Sequence, residues 1–240
     1  DFMISLRELY KRDGEDATTD ALYDIFFERM SEFIERKLII ASREVALRRQ
    51  RPSAVLTFGD CFYTDSIKSG ECFSASAKYH FEIQAFQMLG TVADCFIAFD
   101  QLVVRERKMT LGELISAVDA NFEGYERILA LCRKADKYGI DTELSNAHVK
   151  RITDRVSRLV IEKSRPYFER ERLFLMPSIQ SDTWHLKYGE QYGATVNGRL
   201  AHTAFSQNTN PTNGAAREGV TAMLNSMLNI TQGGFVSGAL

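Results

Sequence analysis

Between positions 20 and 50 the apolar residues Tyr23, Phe26, Phe27, Met30, Phe33, Ile34, Leu38 and Ala41 recur at steps of three and four, with arginine and glutamate between them. This spacing builds a long α-helix with one apolar stripe, and such a stripe must be buried against other elements. Asp20 is read as its cap and Pro52 as its stop. A second helix is expected over 77–105, because its apolar core is interrupted only by isolated polar residues. Thr110-Leu111-Gly112-Glu113 reads as a capping box that opens a third. A fourth is expected over 122–135 after Asn121, stopped by Lys137-Tyr138-Gly139. A fifth over 143–163 carries Ile152, Val156, Leu159 and Val160 and ends before Pro166. Only Val55-Leu56-Thr57-Phe58 reads as a strand. The expected fold class is therefore α/β, dominated by helices, with few short strands that pair with chain outside this sequence.

The composition changes near Lys187. Eight of the 15 glycines follow it, with Asn197, Asn208, Asn210 and Asn213, so 188–218 is expected to be an ordered, polar loop rich in turns. A last helix over 220–228 carries Val220, Met223, Leu224 and Met227. The chain thus divides into a helical region, 1–187, and a glycine- and asparagine-rich loop with its helix, 188–240. A structureless stretch of this length is expected to be functional or packed against further chain.

Thirty basic and 32 acidic side chains leave a net charge of -2, which gives no electrostatic reason to expect a nucleic acid or an acidic membrane surface as partner. The runs Arg43, Arg48, Arg49, Arg51 and Lys150, Arg151, Arg155, Arg158 are interleaved with acids and read as solvated helix faces. Cys61, Cys72, Cys95 and Cys132 have no CxxC spacing, which suits a reducing, cytoplasmic setting. No signal peptide or bilayer span is expected. His80, His148, His185 and His202 form no zinc motif. The serine of Gly234-Phe235-Val236-Ser237-Gly238 is one place off a nucleophile elbow. No metal site and no hydrolytic site are expected.

One ordered set of residues resembles a known family. Ala77-Lys78-Tyr79, Ala93-Asp94, Asn121-Phe122-Glu123-Gly124, and Lys137-Tyr138-Gly139 with Asp141 follow the middle region of glycyl radical enzymes of the pyruvate formate-lyase type. Gly193-Ala194-Thr195-Val196-Asn197-Gly198-Arg199 is similar to the family's Gly-Ala-Thr-Pro-Asp-Gly-Arg. Gly219-Val220-Thr221-Ala222 is similar to its Gly-Pro-Thr-Ala loop. There are departures: Val196-Asn197 for Pro-Asp, Ile140 for asparagine, Val220 for proline, Ser74-Ala75-Ser76 for Gly-Gly-Ala, and Ser66 where many members carry a cysteine.

The resemblance implies a fold in which two opposed half-barrels enclose the radical loops, with this chain supplying part of the second half-barrel and one wall of the pocket. It implies a glycyl radical installed by a partner activase that uses S-adenosylmethionine and an iron-sulfur cluster, relayed to a cysteine thiyl that attacks a small-molecule substrate. The family's Gly-Cys loop and Arg-Val-x-Gly-Tyr loop do not occur here, so no catalytic residue is assigned. The chain starts without Met and is expected to be a segment of a longer enzyme, inactive alone. Arg199, Thr221 and Ala222 are the substrate-pocket candidates and are expected to face a common cavity or the surface that the missing half-barrel covers. Arg199 either anchors the loop through backbone carbonyls, the simpler reading, or pairs with a substrate carboxylate. The activity implied is that of a formate acetyltransferase-like carbon-carbon lyase or a radical eliminase or dehydratase. The alternative is a non-catalytic assembly or regulatory module of the same descent. A homodimer is left open.

Overall fold

The computed structural model describes residues 2–50, 56–179, 183–230 and 235, and the backbone of 237 and 238. Val55, Gly233, Gly234 and the chain ends lie outside the described residues. Helix α1 (Phe2–Asp13) leads into α2 (Thr19–Gln50), followed by two short helices, α3 (Thr64–Ser69) and α4 (Phe73–Ser76), and strand β1 (His80–Phe86). Next come α5 (Leu89–Phe99), which continues as a π-helical turn over Asp100–Arg105, then α6 (Leu111–Asp119), α7 (Glu126–Lys134) and α8 (Glu143–Glu171). Strand β2 (Leu173–Ile179), α9 (Trp184–Gln191), α10 (Val220–Met227) and β3 (Ser237–Gly238) complete the order. The strands pair with one another in the order β1-β2-β3, and Ser178 and Ile179 pair in parallel with Ser237 and Gly238. They were expected to pair outside the chain. The helix-dominated α/β class stands.

Two compact units make up the chain, one of residues 1–29, 85–157 and 177–240, the other of 30–84 and 158–176. In the first, aromatic rings form the core. Tyr23 stacks on Phe96 with centroids 4.1 Å apart, and Phe2 and Phe26 meet the same ring edge-on at 4.8 and 5.3 Å. The Tyr23 hydroxyl is 2.8 Å from His148 Nδ1, and His148 Nε2 is 3.1 Å from Asp100, whose carboxylate also accepts from Thr19 and Arg105. His148 is thus a satisfied core histidine. Arg151 and Arg155, read from sequence as solvated, lay their guanidinium groups over the rings of Tyr23 and Phe27 at 3.9 and 4.5 Å. In the second unit Ala41, Val45 and Leu173 pack with Tyr167, and Ser42 donates to Glu171.

Several sequence expectations are corrected. α2 is capped by the Thr18 hydroxyl, which accepts from Ala21 N at 3.2 Å, while Asp20 accepts from Arg151. Among the described residues of the expected strand, 56–58, no strand forms: Thr57 and Asp60 form a capping box for a 3-10 turn over Phe58–Phe62, because the Asp60 carboxylate takes the Thr57 N–H at 2.6 Å that a ladder would need. The expected helix over 77–105 splits. Phe81, Ile83 and Ala85 alternate with polar neighbours at period two and form β1, and Met88 at φ 65 breaks the chain before α5. α7 starts four residues later than expected, at Glu126 rather than 122, since Asn121 and Phe122 both take positive φ. α8 runs through Pro166. Pro166 and Glu162 are exposed, so the Glu162 carbonyl that loses its partner turns to water. α1, β2 and α9 were not anticipated. The capping box at Thr110, with Glu113 N donating to its hydroxyl at 3.1 Å, and α10 stand as read.

Candidate functional site

Most of the residues that carried the resemblance lie in the first unit, whereas Ala77-Lys78-Tyr79 belong to the second. The turn Thr195–Arg199 closes on itself: Thr195 N donates to Arg199 O and Gly198 N to Thr195 O, both at 3.0 Å. The Thr195 hydroxyl donates to Asn197 Oδ1 at 2.7 Å. Gly198 sits at φ 87, and a Cβ there would lie 2.8 Å from Arg133 Cγ and 3.2 Å from Arg133 N, so the turn presses backbone against α7 in a way only glycine permits. Asn121 accepts from Ala201 N at 2.8 Å, which ties the Asn-Phe-Glu-Gly run to the same loop. This is the physical reason for that motif.

Asp94 on α5 organises the other side. Buried, it accepts from Tyr138 N at 2.8 Å and from the Thr212 hydroxyl at 2.6 Å. The Tyr138 hydroxyl donates to Thr209 O at 2.7 Å, and Gly139 N to the Ser226 hydroxyl at 3.0 Å. Gly139, at φ 104, leaves room for Pro211, whose Cγ would lie 2.6 Å from a Cβ. Burial pushes the Asp94 carboxyl up to about 6, against the opposing pull of Lys137 and its hydrogen bonds. Burial likewise pulls the Lys137 ammonium down. It pushes the Cys95 and Cys132 thiols up to about 12 and about 11, so both stay protonated and unreactive.

Between these two assemblies opens a cavity of about 440 Å³ lined by Arg133, Lys137, Asn197, Arg199, Thr212 and Arg217 among others. Arg199 is 7% exposed. Its terminal nitrogens donate to the carbonyls of Gly193 and Thr203, and its guanidinium lies 4.0 Å from the Phe205 ring centroid. These contacts tie the side chain to the loop's own backbone, and burial lowers its pKa. Thr221 is exposed at the start of α10 and Ala222 is half-buried; neither is among the residues lining this cavity. Arg133 and Arg217 were missed, because no motif surrounds them, and Lys137 was read only as part of the Lys137-Tyr138-Gly139 run and not as a cavity residue. The only signal was a concentration of cations beside turn glycines. A second, wider cleft of about 780 Å³ is lined by acids and bases alike, including Asp20, Asp100, Asp136, Arg105 and Arg151. Among the described residues no group of His, Cys, Asp or Glu is placed to hold a metal ion, and no helix is long and apolar enough to cross a membrane.

The sequence profile of the Pyruvate formate lyase-like family matches residues 9–189. An isethionate sulfite-lyase of Bilophila wadsworthia is 34% identical over 139 residues, 58% of this chain and 16% of that protein. A trans-4-hydroxy-L-proline dehydratase of Clostridioides difficile is 31% identical over 164 residues, 68% of this chain and 20% of the other. Among solved structures, one of 1,2-propanediol dehydration in Roseburia inulinivorans superposes with a TM-score of 0.82 at 23% identity, over 100% of this chain and 32% of that one, which speaks to the fold. The chain thus spans between about a sixth and a third of the length of the proteins it matches. A glycyl radical enzyme of Archaeoglobus fulgidus shares the fold with a TM-score of 0.74 at 18% identity, and the profile match over most of the chain shows the family: the chain belongs to the Pyruvate formate lyase-like family.

Proposed function

We propose that this chain forms part of the barrel of a glycyl radical eliminase, an enzyme that breaks a carbon-sulfur or carbon-oxygen bond, in preference to a formate acetyltransferase-like carbon-carbon lyase. The observation that carries the reading is the chemistry of the relatives: a sulfite-lyase and a dehydratase at 34% and 31% identity. In this reading the glycyl radical, installed by an S-adenosylmethionine-dependent activase with an iron-sulfur cluster, supplies hydrogen abstraction through a cysteine outside this chain. The residues described here have a different task. They hold a dry, rigid wall, since a radical exposed to water and oxygen is lost. Asp94, Tyr138, Thr212 and Ser226 fix that wall with buried hydrogen bonds.

The reading carries with it a cytoplasmic setting, a small-molecule substrate, and inactivity of the 240-residue chain alone. A homodimer remains compatible with it. The test is turnover by the full-length protein that contains this sequence, activated anaerobically and offered isethionate, trans-4-hydroxy-L-proline, 1,2-propanediol, and pyruvate with coenzyme A. Release of sulfite or loss of water from one of the first three is expected. Formate from pyruvate contradicts the eliminase reading, and failure of the activated protein to turn over any of them favours a non-catalytic module.

A further inference from the structure

The cavity beside the Thr195–Arg199 turn has four cationic residues in its lining, Arg133, Lys137, Arg199 and Arg217, and no carboxylate. Two of these charges have acidic neighbours outside the lining. Lys137 feels the buried Asp94, and Arg217 Nε lies 3.8 Å from Glu218. The other two meet only neutral acceptors. Arg133 Nε donates to Gly198 O at 3.3 Å, and Arg199 gives its terminal nitrogens to the carbonyls of Gly193 and Thr203. Carbonyl oxygens satisfy donors without neutralising charge, so the cavity keeps an excess of two positive charges. Arg199 is also more than nine-tenths buried, and its Nε has no hydrogen-bond partner. A buried guanidinium nitrogen without an acceptor is costly, and so is a buried cation without a counter-charge. The second cost falls if an anion enters the cavity that Arg199 lines.

We propose that this cavity binds a doubly charged oxyanion group of the phosphate or sulfate type, alone or carried by a small molecule. Two excess cations match a dianion. The guanidinium groups of Arg133 and Arg217 suit it because planar forks donate in pairs to tetrahedral oxyanions, while Arg199, its terminal nitrogens held by carbonyls, supplies charge. The cavity volume exceeds what the anion alone would occupy, which leaves space for an organic portion. The site concerns binding only and does not rest on the radical reaction proposed above.

The test is calorimetric titration of the full 240-residue chain with inorganic phosphate and with sulfate at fixed ionic strength, using chloride and acetate as monoanion controls. Saturable binding of phosphate or sulfate, with much weaker binding of acetate and chloride, is expected. Arg133→Gln and Arg217→Gln should each weaken it by about tenfold or more. Arg217→Lys, which keeps the charge and loses the fork, should weaken it less. Arg36→Gln, an exposed position in the other unit, should leave it unchanged. Circular dichroism establishes that each variant is folded, and Arg199 is not substituted because it holds the loop together. Absence of saturable binding, equal affinity for acetate, or full affinity in folded Arg133→Gln and Arg217→Gln would each overturn the proposal.

Discussion

Replacing Gly198 by alanine attacks the turn that presents Arg199, and the structure sets the size of the effect. At φ 87 an alanine occupies backbone space that L-residues avoid, at about 1–2 kcal/mol. Its Cβ would also stand 2.8 Å from Arg133 Cγ and 3.2 Å from the Arg133 backbone nitrogen. The side-chain carbon can move aside, whereas the nitrogen is held in α7, so overpacking adds about 1–3 kcal/mol. The sum is a loss of about 2–5 kcal/mol. Gly193→Ala is the control, because that glycine has no positive φ and nothing within 4 Å of its Cβ position. That variant should be neutral, or more stable by about 0.4–1 kcal/mol through its less flexible unfolded chain. Urea unfolding followed by the fluorescence of Trp184, the single tryptophan, reads both. Trp184 opens α9, whose His185 carbonyl accepts from Phe205 N in the same loop, so it reports on the unit concerned. Equal midpoints for Gly198→Ala and Gly193→Ala would refute the claim that the turn requires glycine.

Two further outcomes follow. Asp100 is pushed up by burial, but hydrogen bonds from His148 and Thr19 outweigh this and hold it down to about 2. A carboxylate with a depressed pKa stabilises the fold above its ordinary value near 3.8 and loses that contribution as pH falls through about 2. The acid limb of stability between about pH 4 and pH 2 should therefore flatten by about 1–2 kcal/mol in Asp100→Asn, and an unchanged acid limb contradicts the network. Thr110→Ala removes the capping-box hydroxyl of α6 and should cost about 1 kcal/mol in the same unfolding assay, whereas no loss would mean that Glu15, which accepts from Leu111 N and Gly112 N, caps the helix alone.

How much of this was legible in the sequence depends on how local its cause was. α2 and the Thr110 capping box were readable because period and cap chemistry lie within a few residues of each other. β1 was missed because its alternating Phe81, Ile83 and Ala85 merge into the apolar run of α5, and the boundary is set by Met88 at positive φ, which no local pattern announces. Pro166 misled for a similar reason. Proline within a helix costs a hydrogen bond and a clash, and packing along the rest of the helix decides whether it continues, which is a tertiary fact. At the site, Arg199 was visible through its motif. Arg133 and Arg217 were not, and Lys137, though inside a quoted run, gave no sign of its role, since the three meet only after α7, the Lys137-Tyr138-Gly139 stop and the Asn213–Gly219 loop fold together. The roles of Asn121 and Asp94 are likewise set by partners 80 and 118 residues away.

Whether this chain works within a glycyl radical enzyme is read by electron paramagnetic resonance. The full-length protein containing this sequence, treated anaerobically with its activase and S-adenosylmethionine, should give a glycyl doublet that disappears in air as the backbone is cleaved at the radical glycine. The 240-residue chain treated in the same way should give none. A doublet from the isolated chain, or a silent spectrum from the fully activated parent, would contradict the account.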